Sequence, residues 1–159
     1  MMGQVLSEQP IAVAAFGRLL HAHAALTRKL SAQLEAEHGL TISDYEVLLR
    51  LSQAPARRLK RCDLAESVLL TPSGITRLLD GLEATGLVGR AQCEGDRRVT
   101  YAVLTDEGEE TFRQVSTKHL AAIDAAFAEH LDEEETGRLA ALLGRLSGTG
   151  DGAVCSSAD

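Results

Sequence analysis

One predicted helix has two unlike faces, and the residue types on its polar face could bind DNA. In the stretch TPSGITRLLDGLEATGLV (residues 71–88), apolar residues recur at the i, i+3, i+4, i+7 spacing of a helix stripe: Ile75, Leu78, Leu79 and Leu82. The opposite face has short hydrogen-bonding groups and one guanidinium: Ser73, Thr76, Arg77 and Asp80. Such groups can contact phosphates or base edges, and the small residue Gly74 would let the backbone approach DNA closely. Because a solvated helix can look similar, the helix alone leaves both interpretations open.

The segment after this helix predicts a β-hairpin with a basic tip. The runs LVGRAQ and RRVTYAVLT flank the turn-forming CEGD, and Val99, Tyr101 and Val103 alternate with Arg98, Thr100 and Ala102. An arginine on a thin ribbon, Arg97 or Arg98, can enter a narrow and strongly negative minor groove. Asp96 can orient the guanidinium by a bidentate contact. The alternative is a charged turn that only adds solubility.

Helices are predicted on both sides of this region. A long helix over 10–37 ends at Gly39, and a capping box at Ser43–Glu46 starts the next helix. A basic connector, ARRLKR, leads to a short helix around Asp63–Val68. Later caps are predicted at Thr71, at Thr105, and at Asp132 with Glu135. The order of helix, short helix, helix and hairpin predicts a winged helix-turn-helix.

Charge and composition limit the possible functions. The 159-residue chain has a net charge of −7, but residues 57–101 contain eight basic and six acidic residues, a net charge of +2 against −9 for the rest. Such a basic segment within an acidic chain suits one surface to phosphate binding. There is no apolar run of about 18–20 residues and no signal-peptide pattern, so a cytoplasmic location and no membrane contact are expected.

Three stretches carry a resemblance to a known family: LTISDYEVLLRL, DLAESVLLTPSGITRLLDGLEATGLVGR and DRRVTYAVLTDEG. Across roughly residues 10–147 the chain resembles the MarR family of bacterial transcription regulators. The Asp-x-Arg at 96–98, followed by Leu-Thr-x-x-Gly at 104–108, is the most specific part. The resemblance implies a mainly α fold, with a minor β component, that forms an obligate homodimer. A dimerisation region is then expected at 10–38 and 106–147, and a winged helix-turn-helix at 40–105.

The resemblance also implies how such a dimer would function. It would bind a pseudo-palindromic operator on double-stranded DNA, usually as a repressor that a small ligand or oxidation releases. Arg98 would enter the minor groove and Arg97 would contact phosphate. An anionic aromatic effector would bind between the dimerisation helices and the winged helix, with His21, Tyr45 and Arg50 as the polar candidates.

Other functions find less support in the sequence. Thiol-based sensing would use Cys62, which follows Arg61 in a setting that favours the thiolate; Cys93 lies beside Glu94, which disfavours it. With Cys155, the three cysteines are widely spaced and predict reduced thiols rather than disulfides. The histidines lack metal-ligand spacing, so no metal or cofactor is expected. No enzyme motif is present, and a winged-helix protein-interaction module that does not bind DNA is the remaining alternative. The Gly/Ser-rich tail, 148–159, is predicted to be disordered.

Overall fold

The computed structural model describes residues 10–68, 70–93 and 95–148. In these residues it contains six α-helices and three strands: α1 (Ile11–His38), α2 (Ile42–Gln53), β1 (Arg58–Lys60), α3 (Arg61–Ser67), α4 (Pro72–Ala84), β2 (Val88–Gln92), β3 (Thr100–Leu104), α5 (Asp106–Ala128) and α6 (Glu133–Ser147). The predicted mainly α class is confirmed. Within the described residues no helix is long and apolar enough to cross a bilayer. The chain divides into two compact units, Met1–His119 and Leu120–Asp159.

The ends of α1 and α2 follow local capping rules. Gly39 ends α1 with a left-handed φ of 66°, as the sequence predicts. The capping box that starts α2 is formed by Thr41 and Asp44, each accepting a hydrogen bond from the other's backbone N–H at 3.1 and 2.8 Å. The predicted box at Ser43 and Glu46 is therefore wrong by two residues. Both pairs have the same spacing, but Ile42 is already helical and so leaves Ser43 inside the first turn.

The winged helix contains a three-stranded sheet rather than a two-stranded hairpin. The predicted hairpin forms between β2 and β3, and β1 pairs antiparallel with the other edge of β3, giving the order β1-β3-β2. The connector ARRLKR is therefore partly a strand, with Leu59 opposite Ala102. Three residues are too few to show an alternating pattern, and β3, more than forty residues later, supplies the hydrogen bonds of β1.

The core of the first unit confirms the predicted apolar stripe of α4. Ile75, Leu79 and Leu82 are buried in it, and Leu78 packs partly against it. The β3 strand contributes Ala102 and Leu104. Within the described residues, the largest side chains that are almost completely buried are Leu34, Val47, Leu48, Leu51, Leu64, Leu79, Leu104 and Val115. The inner face of α4 is thus fixed by aliphatic packing, which leaves its polar face at the surface.

The Leu-Thr-x-x-Gly sequence joins the wing to α5. Thr105 Oγ1 accepts the backbone N–H of Gly108 at 2.9 Å, the cap that the sequence predicts, and donates to the carbonyl oxygen of Gly86 at 2.7 Å. A Cβ atom at residue 108 would lie 2.0 Å from the Leu87 carbonyl oxygen, so only glycine fits there. The motif therefore has a packing role at the base of the wing.

The second unit contains α6, which starts at the predicted capping box. Asp132 accepts from the Glu135 backbone N–H at 2.8 Å, and Glu135 accepts from that of Asp132 at 3.0 Å. The helix ends at Gly148, whose φ of 70° is left-handed. Except for Gly148, the tail predicted to be disordered lies outside the described residues.

Candidate nucleic-acid interface

The amino-terminal end of α4 places the predicted polar face at the surface. Thr71 Oγ1 accepts the Gly74 N–H at 3.1 Å and lies 3.3 Å from Ser73 Oγ. A Cβ at residue 74 would come within 3.1 Å of that Thr71 oxygen, so the glycine also leaves space for the cap. Thr76 and Arg77 follow on the same helix, and the Arg77 side chain is exposed. The predicted DNA-binding residues of α4 thus lie beside its amino-terminal cap.

Arg90 on β2 bridges the two carboxylates of α4. Its Nη2 lies 2.5 Å from Asp80 Oδ1, and its Nε lies 2.6 Å from Glu83 Oε1. The hydrogen bond with Glu83 is the main reason that the pKa of Arg90 is raised. Asp80, on the polar face of α4, is thus paired with Arg90 of the wing. The bridge ties α4 to the wing and offsets negative charge beside the polar face.

The tip of the wing is a hydrogen-bonded turn that presents two arginines. Asp96 Oδ1 accepts the backbone N–H of Arg98 at 2.9 Å, and the Asp96 carbonyl oxygen accepts that of Val99 at 3.0 Å. The side chains of Arg97 and Arg98 are exposed. The predicted bidentate contact between Asp96 and a guanidinium is wrong for the described residues, because the carboxylate contacts the backbone and fixes the turn. Glu94 lies outside the described residues.

The basic residues of this region fall into two groups. Arg57, Arg58 and Arg90 have intramolecular partners: Arg57 bridges Asp106, at 2.8 Å, and Glu109; Arg58 lies 5.2 Å from the centre of the Tyr101 ring. The hydrogen bond with Asp106 is the main reason that the pKa of Arg57 is raised. In the part of the chain that the structure describes, the other basic side chains of 57–101 form no ion pair: Lys60, Arg61, Arg77, Arg97 and Arg98.

Comparisons with known proteins agree with this geometry. The model of the MarR family matches residues 40–100. The HTH-type transcriptional repressor YetL of Bacillus subtilis (strain 168) is 32% identical over 113 residues, which are 69% of this chain and 68% of YetL. The chain belongs to the MarR family. It is therefore a MarR-family transcriptional regulator, as its resemblance indicates.

Solved structures of MarR-family proteins share the fold over most of their length. AbsC, a MarR-family transcriptional regulator from Streptomyces coelicolor, is 32% identical with a TM-score of 0.78, and the match covers 89% of this chain and 95% of AbsC. Sco3205 from the same organism was crystallised in complex with DNA. It is 28% identical with a TM-score of 0.79, and the match covers 89% of this chain and 92% of Sco3205.

The three predicted effector-binding residues of this MarR-family chain have unlike surroundings. Tyr45 is buried, with its hydroxyl 3.2 Å from Ser116 Oγ. Arg50 is exposed and lies five residues further along α2, roughly 140° around the helix axis from Tyr45. His21 is exposed, and its Nδ1 lies 2.8 Å from the Gly17 carbonyl oxygen, one turn earlier in α1. Tyr45 and Arg50 therefore lie on different faces of α2.

Tyr45 instead packs against α5, in a cluster that the sequence did not predict. Its ring centre lies 4.5 Å from that of His119 and 5.6 Å from that of Phe112. His119 is buried, and burial lowers its pKa. Phe112, Ser116 and His119 follow the i, i+4, i+7 spacing of one helix face, and this spacing is the signal that could have identified the cluster.

The cysteines are separated in the fold. Cys62, on α3, is exposed, and its thiol donates to Asp63 Oδ1 at 3.3 Å; Cys93, just after β2, is half-buried. Both are free thiols, and Cys155 lies outside the described residues. Among the residues that are described, no three His, Cys, Asp or Glu side chains come together as a metal site would require.

Proposed function

We propose that this regulator is a homodimer that binds a pseudo-palindromic operator in double-stranded DNA, with one winged helix at each half-site. Ser73, Gly74, Thr76 and Arg77 on α4 would contact the major groove, and Asp96, Arg97 and Arg98 on the wing would contact the adjacent minor groove and its phosphates. A helix of this kind has the diameter that the major groove admits.

The separation of paired from unpaired basic residues carries the proposal. Arg57 and Arg90 form ion pairs with carboxylates of the protein itself, whereas Arg77, Arg97 and Arg98 are exposed and form no ion pair within the described residues. Arginines without internal partners on the polar face of α4 and on the wing match the charge of DNA. The residues outside 57–101 have a net charge of −9, which opposes DNA binding elsewhere on the chain.

The proposal extends to the regulatory outcome. The relative YetL is named a repressor, and the Sco3205 crystals contain DNA, which supports operator binding and repression by this chain. Release by a small anionic aromatic effector rests on the family resemblance, and the protein would act without catalysis. In α1, Ile11 and Phe16 are 88% and 61% exposed, which supports the dimer because a partner would cover them.

Operator binding tests the proposal directly. Fluorescence anisotropy with fragments of the adjacent promoter should show salt-dependent binding that competitor DNA does not abolish. Arg98→Ala should weaken binding and reduce the preference for A·T-rich flanks, and Arg77→Ala should cost about 1–3 kcal/mol and relax base preference. Arg113→Ala, which removes an exposed cation from α5, is the matched control.

Two results would contradict the proposal. If the wild-type protein fails to bind at about 50 mM salt, where electrostatic binding is strong, the winged helix is better explained as a protein-interaction module. If Arg77→Ala and Arg98→Ala bind like Arg113→Ala, the assigned surface is wrong even though the protein binds DNA. Peroxide treatment of the complex separates effector release from the thiol-based alternative, in which oxidation alone would dissociate it.

A further inference from the structure

A basic groove lies beside the proposed DNA-binding residues of α4 and the wing. It has a volume of about 770 Å³ and is lined by residues of β1, α3, α4 and the base of the wing. Its charged residues are Lys60, Arg61, Glu66 and Arg98, a net charge of +2. Lys60 and Arg61 are not among the residues assigned to DNA by the sequence. We propose that this basic groove holds one sugar–phosphate strand of the operator, with Lys60 and Arg61 as phosphate contacts.

The first reason is geometric and rests on the proposed function. Thr76 from α4 and Arg98 from the wing both line the basic groove. In duplex DNA a single sugar–phosphate strand separates the major groove from the adjacent minor groove. If Thr76 faces the major groove and Arg98 the minor groove, that strand must pass between them. The space between them is the basic groove, and Lys60 and Arg61 belong to its lining.

The second reason is the unsatisfied hydrogen-bonding capacity of Arg61. Its Nη2 atom is buried and has no hydrogen-bond partner within the described residues. A covered guanidinium nitrogen without an acceptor bears a desolvation cost, so a shift of the side chain toward a charged acceptor in the groove is favourable. Lys60 is exposed and forms no ion pair in the described part of the chain. A phosphodiester supplies acceptors for both side chains, since arginine and lysine are the usual phosphate ligands.

The salt dependence of DNA binding tests the proposal. Removal of one phosphate-binding side chain should reduce the slope of log K against log salt by about 0.9. Between about 50 and 200 mM salt, the affinity of each variant, Lys60→Ala or Arg61→Ala, should therefore fall less steeply than that of the wild type. The ratio of the two falls should be about 3.5 for each groove that loses a contact, and so about 12 for a dimer that loses two. The weakening should be the same on operator and on unrelated DNA, because phosphates carry no sequence information. Arg113→Ala is the matched control, and circular dichroism checks the fold of each variant.

Cysteine footprinting supplies an independent readout on the unmodified protein. Cys62 also lines the basic groove and is exposed, so operator DNA should slow its alkylation by iodoacetamide, measured residue by residue by mass spectrometry. Unchanged alkylation, or unchanged salt slopes for both variants while the wild type binds its operator, would overturn the groove assignment alone. If the wild type binds no DNA, the proposed function fails and this inference fails with it.

Discussion

The winged helix and the first half of α1 use the same apolar residue types with opposite results. In α4, Ile75 and Leu82 are 3% exposed and Leu79 is fully buried. In α1, Ile11 is 88% exposed and Phe16 is 61% exposed. Both segments form helices, so helix propensity does not distinguish them. They differ in tertiary partners: α4 packs on α2, α3 and β2 of the same chain, whereas Leu34 is the one residue of Ile11–His38 that is buried.

A single chain buries the apolar side chains of α4 but leaves those in the first half of α1 exposed to solvent. The winged helix has a closed aliphatic core, α2 and α4 begin at side-chain caps, and the polar face of α4 lies at the surface. Large apolar side chains left at a surface favour association, since covering them removes apolar area from water. Truncation of apolar side chains in α4 should therefore lower the free energy of unfolding, and truncation of those in α1 should weaken association between chains.

The largest expected effect comes from truncating a buried side chain of α4 in the core of the winged helix. Leu79→Ala should lower the free energy of unfolding by about 2–5 kcal/mol, because it removes a fully buried side chain and leaves a cavity. Urea unfolding followed by circular dichroism measures this. Leu79→Met keeps the volume and should cost less than about 1.5 kcal/mol. Equal stabilities for the alanine variant and the wild type would show that α4 is not packed as described.

A second change tests the junction between the wing and α5. Gly108→Ala should destabilise the protein by about 1–3 kcal/mol, since its Cβ would meet the Leu87 carbonyl oxygen at 2.0 Å. Gly137→Ala on α6 is the control, because a Cβ there meets nothing within 4 Å. That control should be neutral or should stabilise by about 0.5–1 kcal/mol through lower backbone entropy in the unfolded chain. Equal thermal midpoints for the two variants would contradict the close packing at residue 108.

A third change tests the exposed apolar side chains in the first half of α1. Phe16→Ser should leave the helical content measured by circular dichroism unchanged, because the side chain is mostly exposed in the single chain. It should raise the Kd of the dimer at least about tenfold, since burial of a large apolar side chain is worth about 1.5–3 kcal/mol. Sedimentation velocity over a concentration series measures this, with Gln53→Ser as the surface control. If Phe16→Ser dissociates no more readily than that control, the dimer does not use this face.

The smallest expected effect is a pH dependence of stability caused by His119, which lies on α5 and packs against Tyr45 of α2. Burial lowers the pKa of His119 below the ordinary value of about 6.5, so the unfolded chain binds the proton more readily than the folded protein. The free energy of unfolding should thus fall as pH drops below about 6.5. Its slope with pH should be smaller than the slope that uptake of one whole proton on unfolding would give. Urea unfolding at pH 5.5 and 7.5 should show a weaker dependence in His119→Gln. His130→Gln, at an exposed position, should behave like the wild type, and a His119→Gln profile that matches both would contradict the assignment.

Local rules allowed much of the architecture to be predicted from the sequence. Gly39, Thr71 and Thr105 cap helices where expected, because a left-handed glycine or a side-chain oxygen acts within one turn of its own position. The apolar stripe of α4 is buried as its spacing predicts, since a helix fixes the relative directions of its side chains. The polar face of α4 and the arginine tip of the wing were found for the same reason.

Tertiary structure decided the features that depend on residues far apart in the chain. Strand β1 exists because β3 pairs with it, and Arg57 reaches Asp106 about fifty residues later. Tyr45 packs against His119, which lies on α5 and is remote from it in sequence. The sequence by itself determined the helices, most of their caps and the family, because these depend on neighbouring residues. Only the folded chain could separate the basic residues with internal partners from those available to DNA, because charge pairing is set by distance in space.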